Sequence, residues 1–440
     1  MHEKIGFISL GCPKNQVDSE LMLEKLDAAG YQIIDTAFGA DIVIINTCGF
    51  IEAAKQEAID NILEMVDLKE QGDVGKIIVL GCLAERYRDE ILKEIPEVDA
   101  VGGLGVNGDI VEFVKNVLNG TEQSRYPEKE KLPLCGQRIL TTPSHWAYLK
   151  ISDGCSNCCT YCAIPSIRGP FRSRDQDDII LEAKALAAAG VQEIIVIAQD
   201  TTRYGEDIYG KPVLHELLYK LNDIEGIRWI RLLYCYPDRI TDELLKAMSE
   251  CEKVLHYIDL PLQHASGRIL KAMNRHGDDK SLLQLLSKIR EYMPDCIIRT
   301  TFITGFPGET EEDFEILSEF VNIAGFDRLG CFSYSPEEGT PAEKLPDRVD
   351  TETAVHRGEL IMGQQYRILS EKLESLVGKT VECVIEDYDP YSDSYTGRTW
   401  MDAPEIDSVI TVVSEDELMI GEITEVEITD VNEYDLLGRA

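Results

Sequence analysis

The sequence predicts an α/β protein with three domains: an N-terminal doubly wound α/β domain, a central partial (β/α)6 barrel and a small antiparallel β-barrel at the C-terminus. Three observations predict this fold class. The 440 residues are enough for two to four domains. Short apolar runs alternate with amphipathic segments in two separate regions, and near the end the pattern changes to short alternating stretches. We place the domains at residues 1–120, 141–371 and 372–440, with a linker at residues 121–140.

Three short apolar runs in the first region are typical of buried parallel strands. They lie at residues 5–10, 42–45 and 76–80. Between the second and third runs, residues 51–66 repeat apolar positions at helical spacing. Strands and helices that alternate in this way predict a doubly wound parallel sheet.

A cysteine follows each of these runs. Cys12 comes after the first run, Cys48 after the second and Cys82 after the third; we call these three the N-terminal triad. Because the C-terminal ends of parallel strands share the edge at which such folds bind ligands, the three thiols are expected to lie close together. Lone cysteines are often buried as small hydrophobic residues, which is the alternative interpretation. Three cysteines at equivalent positions favour the ligand set of an iron–sulfur cluster.

A second alternation begins at Trp146, after a stretch that loses periodicity and contains several prolines. Helical patterns fill the intervals between its strands, for example at residues 179–189 and 314–324. Six βα units predict an open, partial barrel whose chemistry lies at the C-terminal ends of its strands. The strand candidates are residues 146–151, 193–198, 228–234, 255–260, 297–303 and 328–334.

The loop after the first strand of this barrel carries Cys155, Cys159 and Cys162 with the spacing C-x3-C-x2-C; we call them the barrel triad. Three thiolates on one loop can hold three irons of a [4Fe–4S] cluster and leave the fourth iron open to a small molecule. Cys158 permits another interpretation, a four-thiolate zinc knuckle with the spacing C-x2-C-C-x2-C. Adjacent cysteines point in different directions, which makes tetrahedral ligation difficult, so Cys158 is expected to be a bystander.

Polar and glycine-rich residues at the ends of the other barrel strands are candidate cofactor contacts. A glycine-rich strand end lets the backbone approach a ligand closely, although the same residues also form a tight turn before a helix. The histidine among them is either a general acid or base or a structural residue. The candidates are Gln199, Asp200, Gln263, His264, Arg299, Gly305, Pro307, Gly308 and Glu309.

A helical segment at residues 352–376 precedes the last domain. Alternating stretches at residues 381–386, 409–413 and 422–428 then predict a small antiparallel β-barrel. Residues 378–440 contain 17 acidic residues, Asp and Glu together, and only three basic residues. This charge argues against the nucleic-acid binding for which such barrels are often used.

The composition indicates the compartment and the kind of partner. The chain has 13 cysteines and an N-terminus without a signal segment, which together predict a reducing, cytoplasmic environment and metal-bound thiolates. No stretch of the sequence is long and apolar enough to span a bilayer. The formal net charge of −37 works against sequence-independent contact with phosphate backbones and favours a basic partner or simple solubility.

Several motifs resemble the methylthiotransferase family of radical S-adenosylmethionine (SAM) enzymes, across essentially the whole chain. The domain order also resembles that family, which joins an N-terminal α/β domain to a radical SAM barrel and a C-terminal TRAM barrel. Cys158 stands where the family usually has a basic or polar residue. Besides the barrel triad, the motifs are SLGCPKN at residues 9–15, VDSE at 17–20, NTCGFI at 46–51, GCLAERY at 81–87, IPSIRG at 164–169, PLQHAS at 261–266 and DAPEID at 402–407.

The resemblance implies two [4Fe–4S] clusters and SAM as cofactors, with all six triad cysteines as catalytic and metal-binding residues. The cluster on the barrel triad would reduce SAM at its open iron and release a 5′-deoxyadenosyl radical. The radical would take a hydrogen atom from an unactivated C–H bond of the substrate. The cluster on the N-terminal triad would hold a sulfur that a second SAM methylates, and the substrate radical would attack that methylthio group.

Within the family, the segment around Cys12 resembles the branch that modifies ribosomal protein uS12 (S-twelve of the small subunit). This implies a reaction at the β-carbon of one aspartate of that basic protein, a reductant such as flavodoxin or ferredoxin, and neither a membrane nor direct nucleic-acid binding. Two alternatives remain. A tRNA adenosine 2-methylthiotransferase of the same family usually differs around the first cysteine and tends to carry a basic TRAM domain. A non-catalytic iron–sulfur scaffold or electron carrier would not need a substrate-binding barrel.

Overall fold

Three large β-sheets organise the chain, one in each of the regions that the sequence predicts. The computed structural model describes residues 3–440. Among these residues, no helix combines the length and the apolar character that a membrane crossing needs. The predicted fold class is confirmed by this sheet organisation.

The first sheet has six parallel strands: β1 (Lys4–Ser9), β2 (Gln32–Ile34), β3 (Ala40–Thr47), β4 (Val74–Gly81), β5 (Ala100–Gly102) and β6 (Ser124–Arg125). They lie in the order β2-β1-β3-β4-β5-β6. The helices of this domain are α1 (Pro13–Ala28), α2 (Glu52–Gln71), α3 (Cys82–Tyr87), α4 (Asp89–Glu94) and α5 (Ile110–Leu118). Helices α1 and α5 cover one face of the sheet, and α2, α3 and α4 cover the other. Helices on both faces make this a doubly wound domain.

The sequence does not predict β2, β5 and β6, because strands of two or three residues are too short to show a repeating pattern. Strand β6 lies inside the predicted linker, which also contains a short 3-10 helix at Lys129–Lys131. After this turn the chain runs without regular structure beside α1, where the backbone N–H of Ile139 donates to the carbonyl of Glu20 at 3.2 Å.

The second sheet is open and parallel. Its strands are β7 (Trp146–Lys150), β10 (Glu193–Ile197), β11 (Trp229–Leu232), β12 (Val254–Asp259), β13 (Ile297–Thr304) and β14 (Arg328–Ser333), in the order β14-β13-β12-β11-β10-β7. A separate hairpin pairs β8 (Ser152–Asp153) with β9 (Arg172–Ser173). The helices are α6 (Ile164–Arg168), α7 (Gln176–Ala188), α8 (Glu206–Tyr209), α9 (Leu214–Asn222), α10 (Asp242–Glu250), α11 (Gly267–Ala272), α12 (Asp279–Tyr292), α13 (Glu311–Ala324) and α14 (Thr351–Glu374). All six predicted strands of the partial barrel are present.

The two faces of this sheet pack against different parts of the molecule. One face, which includes Ala147 and Ile194, is covered by the barrel's own helices. The other face, which includes Trp146 and Ile195, packs against α1 and the C-terminal barrel. The inner face of the central barrel is therefore filled by its two neighbouring domains.

The third sheet is a closed barrel of five strands: β15 (Thr380–Asp389), β16 (Ser394–Thr399), β17 (Ile410–Val413), β18 (Ile423–Asn432) and β19 (Asp435–Arg439). Four of its neighbouring strand pairs are antiparallel, as predicted, and β17 and β19 pair in parallel. A closed ring with an odd number of strands cannot alternate direction throughout, so one neighbouring pair has to be parallel.

The C-terminal barrel packs against the N-terminal ends of the central strands, at the end opposite the cysteine loop. Glu193, the first residue of β10, pairs with Arg398 at 2.6 Å. Residues 402–407 reach further into the central barrel, where the hydroxyl of Tyr148 donates to Glu405 at 3.0 Å. The two barrels are therefore joined by buried polar contacts as well as by apolar packing.

Candidate active site

Seven cysteines line one cavity of about 380 Å³ between the N-terminal domain and the central barrel. They are the N-terminal triad, the barrel triad and Cys235, which lies just after β11. The cavity lies at the C-terminal ends of the strands of both parallel sheets, where α/β folds place their ligands. Its volume falls in the range of small-molecule sites. The structure thus brings together two sets of cysteines that the sequence places in different domains.

The N-terminal triad is carried by three neighbouring strand ends. Cys12 directly precedes α1, Cys48 follows β3 and Cys82 begins α3. Gly11 lets two of these turns meet, because its φ is +91° and a β-carbon there would lie 2.4 Å from the β-carbon of Cys48. Any larger residue at that position would push Cys12 and Cys48 apart.

The barrel triad lies on the loop between β8 and α6, and hydrogen bonds hold this loop at both ends. The backbone N–H of Cys155 donates to the carbonyl of Gly169 at 3.1 Å, and that of Thr160 donates to Met273 at 3.0 Å. Gly154 begins the loop with φ +78°, and a β-carbon there would lie 2.1 Å from the carbonyl oxygen of Pro170. The loop conformation is therefore set by contacts with the barrel on either side.

Asp200, a predicted cofactor contact, forms hydrogen bonds that hold this loop in place. Its carboxylate accepts from the amide of Asn157 at 2.8 Å and from Arg239 at 3.2 Å. Arg239 also donates to the Asn157 side-chain oxygen at 3.1 Å. Because Asp200 is fully buried and does not line the cavity, these contacts favour a role in positioning the cysteine loop.

Cys158 points away from the other cysteines of its loop. It is exposed, it adopts φ +54°, and it is absent from the cavity lining. Within residues 3–440, no three His, Cys, Asp or Glu side chains converge closely enough to hold a single metal ion. A cubane cluster places each thiolate on a different iron and does not need such convergence. The arrangement therefore disfavours the zinc knuckle.

The chemistry of the donors fits an iron–sulfur cluster at each triad. Burial raises the pKa of the Cys82 and Cys162 thiols to about 12, whereas a cluster ligand has to be a thiolate. Positive charge is needed to stabilise these thiolates, and iron together with nearby arginines can supply it. The Arg168 guanidinium offsets part of the effect of burial on the pKa of Cys82, and Arg275 donates to the sulfur of Cys159 at 3.8 Å. Two sets of three soft ligands in a cationic cavity therefore suit two clusters.

Three of the predicted cofactor contacts line the cavity: Gln199, Gln263 and Arg299. The side-chain oxygen of Gln199 is buried and has no hydrogen-bond partner among the described residues. Gln263 adopts φ +73°, a left-handed conformation that is unusual for a non-glycine residue. Strained backbone of this kind is often found where a side chain contacts a ligand.

The other predicted contacts at the strand ends lie outside the cavity lining: His264, Gly305, Pro307, Gly308 and Glu309. His264 is fully buried, and its Nε2 lies 3.2 Å from Glu309. Glu309 accepts from the backbone of Gly305 at 3.0 Å and from Arg357 at 2.7 Å. These contacts favour a structural role, and a role in cofactor binding stays a prediction.

Several cavity residues are missed by the sequence analysis, and they share aromatic or cationic chemistry. Lys14 and Arg168 lie inside motifs already recognised, so a basic residue close to a predicted ligand is the signal that could have found them. Burial lowers the pKa of Lys14 to about 7. Phe50 and Tyr161 also lie within two residues of a triad cysteine, whereas nothing in the sequence relates Tyr234 to the cysteines. The missed residues of this kind are Lys14, Phe50, Tyr161, Arg168, Tyr234 and Arg275, and the carboxylate of Asp259 is missed as well.

Arg168 connects the two domains directly behind the N-terminal triad. Its guanidinium pairs with Asp18 of α1 at 2.9 Å and with Asp153 of the barrel at 2.7 Å. Lys150 of β7 also pairs with both carboxylates. All four side chains are buried, so this network fixes the N-terminal domain against the barrel.

Comparisons with known proteins agree with this architecture. Residues 4–103 match the Uncharacterized protein family UPF0004, residues 149–321 match the Radical SAM superfamily and residues 377–440 match the TRAM domain. Among solved structures, the radical SAM methyltransferase TsrM from Kitasatospora setae superposes with a TM-score of 0.59 at 12% identity, over 78% of this chain and 77% of that chain. The radical SAM enzyme OxsB superposes with a TM-score of 0.53 at 13% identity, over 83% of this chain and 58% of that chain. At such low identity these structures establish the fold alone.

Curated relatives match over nearly the full length. The ribosomal protein uS12 methylthiotransferase RimO of Clostridioides difficile is 48% identical over 99% of this chain and 98% of its own length. The RimO of Lachnoclostridium phytofermentans is 48% identical over 99% of this chain and 100% of its own length. The RimO of Bdellovibrio bacteriovorus is 44% identical over 99% of this chain and 97% of its own length. The chain therefore belongs to the RimO family of radical SAM methylthiotransferases.

Proposed function

We propose that this chain adds a methylthio group to the β-carbon of one aspartate in ribosomal protein uS12. Relatives that match this chain over almost their whole length are named ribosomal protein uS12 methylthiotransferase. The observation that carries the proposal is the placement of two cysteine triads around one cavity. Generation of a radical from SAM needs one triad, so the second triad indicates a further reaction at the same place.

The Radical SAM match implies one [4Fe–4S] cluster and SAM. The barrel triad would hold that cluster, because its three thiolates leave one iron for the amino and carboxylate groups of SAM. Gln199 lies on the wall of the same cavity with its side-chain oxygen unpaired among the described residues. It therefore offers a hydrogen-bond acceptor to a donor group of SAM.

The N-terminal triad would hold a second [4Fe–4S] cluster. The support is its three thiols on adjacent strand ends, with Arg168 behind Cys82 to balance thiolate charge. When bound, the clusters and SAM supply the one-electron and sulfur chemistry that polar side chains cannot perform on an unactivated C–H bond.

The chain's own residues would bind the reactants and shield them from water. Phe50, Tyr161, Tyr234 and Tyr236 line the cavity between the triads. The guanidinium of Arg275 stacks on Tyr236 with 4.4 Å between its central carbon and the ring centroid, which fixes both groups. A lining of this kind keeps bulk water away from a reactive radical.

The partners and limits of the functional units belong to the same proposal. Radical formation consumes an electron, so a reductant such as flavodoxin or ferredoxin is required, in the cytoplasm. The net charge of −37 supports a basic protein substrate and no direct nucleic-acid contact. The three units are residues 1–120, 141–371 and 372–440, with the linker at 121–140 between the first two.

Mass spectrometry of uS12 and of tRNA tests this function. Reconstituted protein with SAM and reductant is expected to add one methylthio group to one aspartate of purified uS12. Cells without the gene should contain uS12 that lacks this modification. Unmodified uS12 together with new 2-methylthioadenosine in tRNA would contradict the proposal and support the tRNA alternative.

A further inference from the structure

The cavity between the triads is cationic although the chain as a whole is strongly acidic. Four basic residues line it, and Asp259 is the sole carboxylate among its lining residues. The formal net charge of the chain is −37, so this concentration of positive charge is local. Such a cavity favours anionic ligands. The basic residues are Lys14, Arg168, Arg275 and Arg299.

The three arginines already have partners. Arg168 is held by two buried carboxylates, Asp18 and Asp153, and Arg299 is held by Asp259 and Asp407. The third, Arg275, lies next to the barrel triad. It donates to the sulfur of Cys159 at 3.8 Å, to the hydroxyl of Tyr161 at 3.4 Å and to the carbonyl of Pro261 at 2.7 Å.

Lys14 differs from the arginines because its ammonium has no polar partner. Its Nζ lies 2.8 Å from the centroid of the Tyr234 ring. Within residues 3–440 it donates no hydrogen bond and forms no ion pair, although the side chain is only 5% exposed. An ammonium has three N–H donors, and those of Lys14 are left to the cavity that the residue lines. The geometry is that of a site completed by an anion.

The neighbouring carboxylate of Asp259 cannot readily fill this need. One of its oxygens accepts from Arg299 at 3.0 Å, and the other accepts from the backbone N–H of Tyr234 at 3.0 Å. Tyr234 itself adopts φ +61°, and its carbonyl accepts from Thr201 at 3.0 Å. These contacts hold its ring against Lys14 in a strained conformation, as is common at ligand sites.

We propose that Lys14 binds the side-chain carboxylate of the substrate aspartate and so places its β-carbon between the two triads. This assignment rests on the proposed function and names the group that recognises the substrate. In aspartate the carboxylate carbon is bonded directly to the β-carbon, so an ion pair on the carboxylate fixes the reacting atom one bond away. The same ion pair would distinguish aspartate from asparagine, which has the same shape without the charge.

The position of Lys14 favours the substrate over the carboxylate of SAM. Lys14 lies two residues after Cys12, next to the N-terminal triad from which the sulfur would be delivered. SAM would bind at the barrel triad, where the adjacent cation is Arg275. A carboxylate on Lys14 therefore lies on the sulfur side of the cavity.

Binding measured without reductant tests this assignment separately from turnover. The proteins are the reconstituted enzyme, its Lys14→Met variant and a Lys25→Met control, and the ligands are uS12 and uS12 with the target aspartate changed to asparagine. Lys25 lies on the same helix but donates to the carbonyls of Asn107 and Gly108, outside the cavity. The wild type and the control should bind the aspartate form about tenfold to hundredfold more tightly. Lys14→Met should lose this preference and keep its iron content.

The possible outcomes separate this assignment from the proposed function. Failure of the wild type to modify uS12 would contradict the function itself. If the wild type modifies uS12 but Lys14→Met keeps its preference for aspartate, the assignment of Lys14 is wrong and the function stands. If Lys14→Met does not fold, Lys14→Gln is judged by the same criterion, and equal binding of the two uS12 forms by the wild type would also overturn the assignment.

Discussion

Burial raises the pKa of four of the six triad thiols: Cys48, Cys82, Cys155 and Cys162. A protonated thiol is a poor metal ligand, so a cation is needed to stabilise the thiolate forms at this site. By contrast, Cys158 is exposed and outside the cavity. At the scale of single residues, exposure and a position outside the cavity therefore mark Cys158 as a bystander.

The first prediction concerns the iron content of each triad. Replacement of Cys12, Cys48 and Cys82 by alanine should lower the iron bound by reconstituted protein from about eight atoms to about four per chain. The variant should still cleave SAM, because the barrel triad is intact. Iron analysis and the yield of 5′-deoxyadenosine are the measurements.

The matched control is Cys158→Ala, which should keep both the iron and the SAM cleavage. Replacement of any one cysteine of the barrel triad should abolish SAM cleavage. An unchanged iron content in the triple variant would remove the second cluster from the proposal. Zinc that disappears on changing Cys158 would restore the zinc knuckle.

The sequence predicts the barrel triad well because three ligands on one short loop have a recognisable spacing. It predicts the N-terminal triad less directly, since only the shared position after a strand relates Cys12, Cys48 and Cys82. The lack of a partner for Lys14 could not be predicted, because the Tyr234 that it contacts comes from another domain. Residue roles set by contacts between domains require the structure.

At the scale of secondary-structure elements, α1 is the helix that joins the two domains around the site. It begins at the N-terminal triad, and it carries Lys14 on its first turn and Asp18 one turn later. Val17 and Leu21 of the same helix pack into the inner face of the central barrel. The role of α1 could not be predicted from the sequence, because its partners in the central barrel are distant in the chain.

The second prediction is that Asp18→Asn destabilises the protein by about 3–5 kcal/mol. The substitution keeps the shape of the side chain but removes the charge that pairs with Lys150 and Arg168. Two buried cations would then share Asp153 alone. Urea unfolding at neutral pH measures the free energy of unfolding.

Asp27→Asn is the control, because Asp27 is on the same helix and is exposed. It should change the stability by less than about 0.5 kcal/mol. Equal stability of the two variants would show that the buried network contributes little to holding the domains together.

At the scale of the whole molecule, the C-terminal barrel is a structural partner of the central one. Glu193 lies between Arg231 at 2.8 Å and Arg398 at 2.6 Å, and all three are buried. The sequence predicts this barrel from alternation alone. Its docking depends on single charged residues whose partners lie in the other domain, so pattern analysis cannot predict it.

The third prediction is a loss of stability in acid that depends on Glu193. Burial alone raises the pKa of Glu193, but the Arg398 and Arg231 guanidiniums outweigh it and hold the pKa below the ordinary value of 4.5. Because the pKa of Glu193 is lowered in the folded protein, its ion pairs with the two arginines stabilise the protein at a pH above about 4.5. This stabilisation is lost as the pH falls below that value. Thermal unfolding from pH 7 to pH 3 should show the loss.

Glu193→Gln should destabilise the protein at pH 7 by about 3–5 kcal/mol and reduce the further loss in acid. Glu382→Gln is the control, since Glu382 pairs with Arg228 across the same two barrels but both side chains are 48% exposed. An exposed pair of this kind contributes about 0–1 kcal/mol. If the Glu193→Gln variant loses as much stability in acid as the wild type, other carboxylates control the acid sensitivity.

The last prediction concerns the acidic surface of the C-terminal barrel. Some of its carboxylates, such as Asp402, are buried. Deletion of the whole barrel is therefore an unsuitable test, because it would also remove Arg398, the ion-pair partner of Glu193. Glu415, Asp416 and Glu417 are exposed, lie between β17 and β18, and form no ion pair within residues 3–440. Their substitution by lysine changes the surface charge without disturbing the docking.

Because this barrel packs at the end opposite the cysteine loop, its charge is expected to steer a basic uS12 from a distance rather than to contact the reacting aspartate. The triple lysine variant should therefore raise KM for uS12 severalfold, leave kcat unchanged and weaken the salt dependence of kcat/KM. The matched control reverses Glu312, Glu315 and Glu319, which are exposed on α13 and also unpaired within residues 3–440. Equal effects of the two variants would assign the steering to net charge, and no effect of either would leave the acidic barrel without a role in docking.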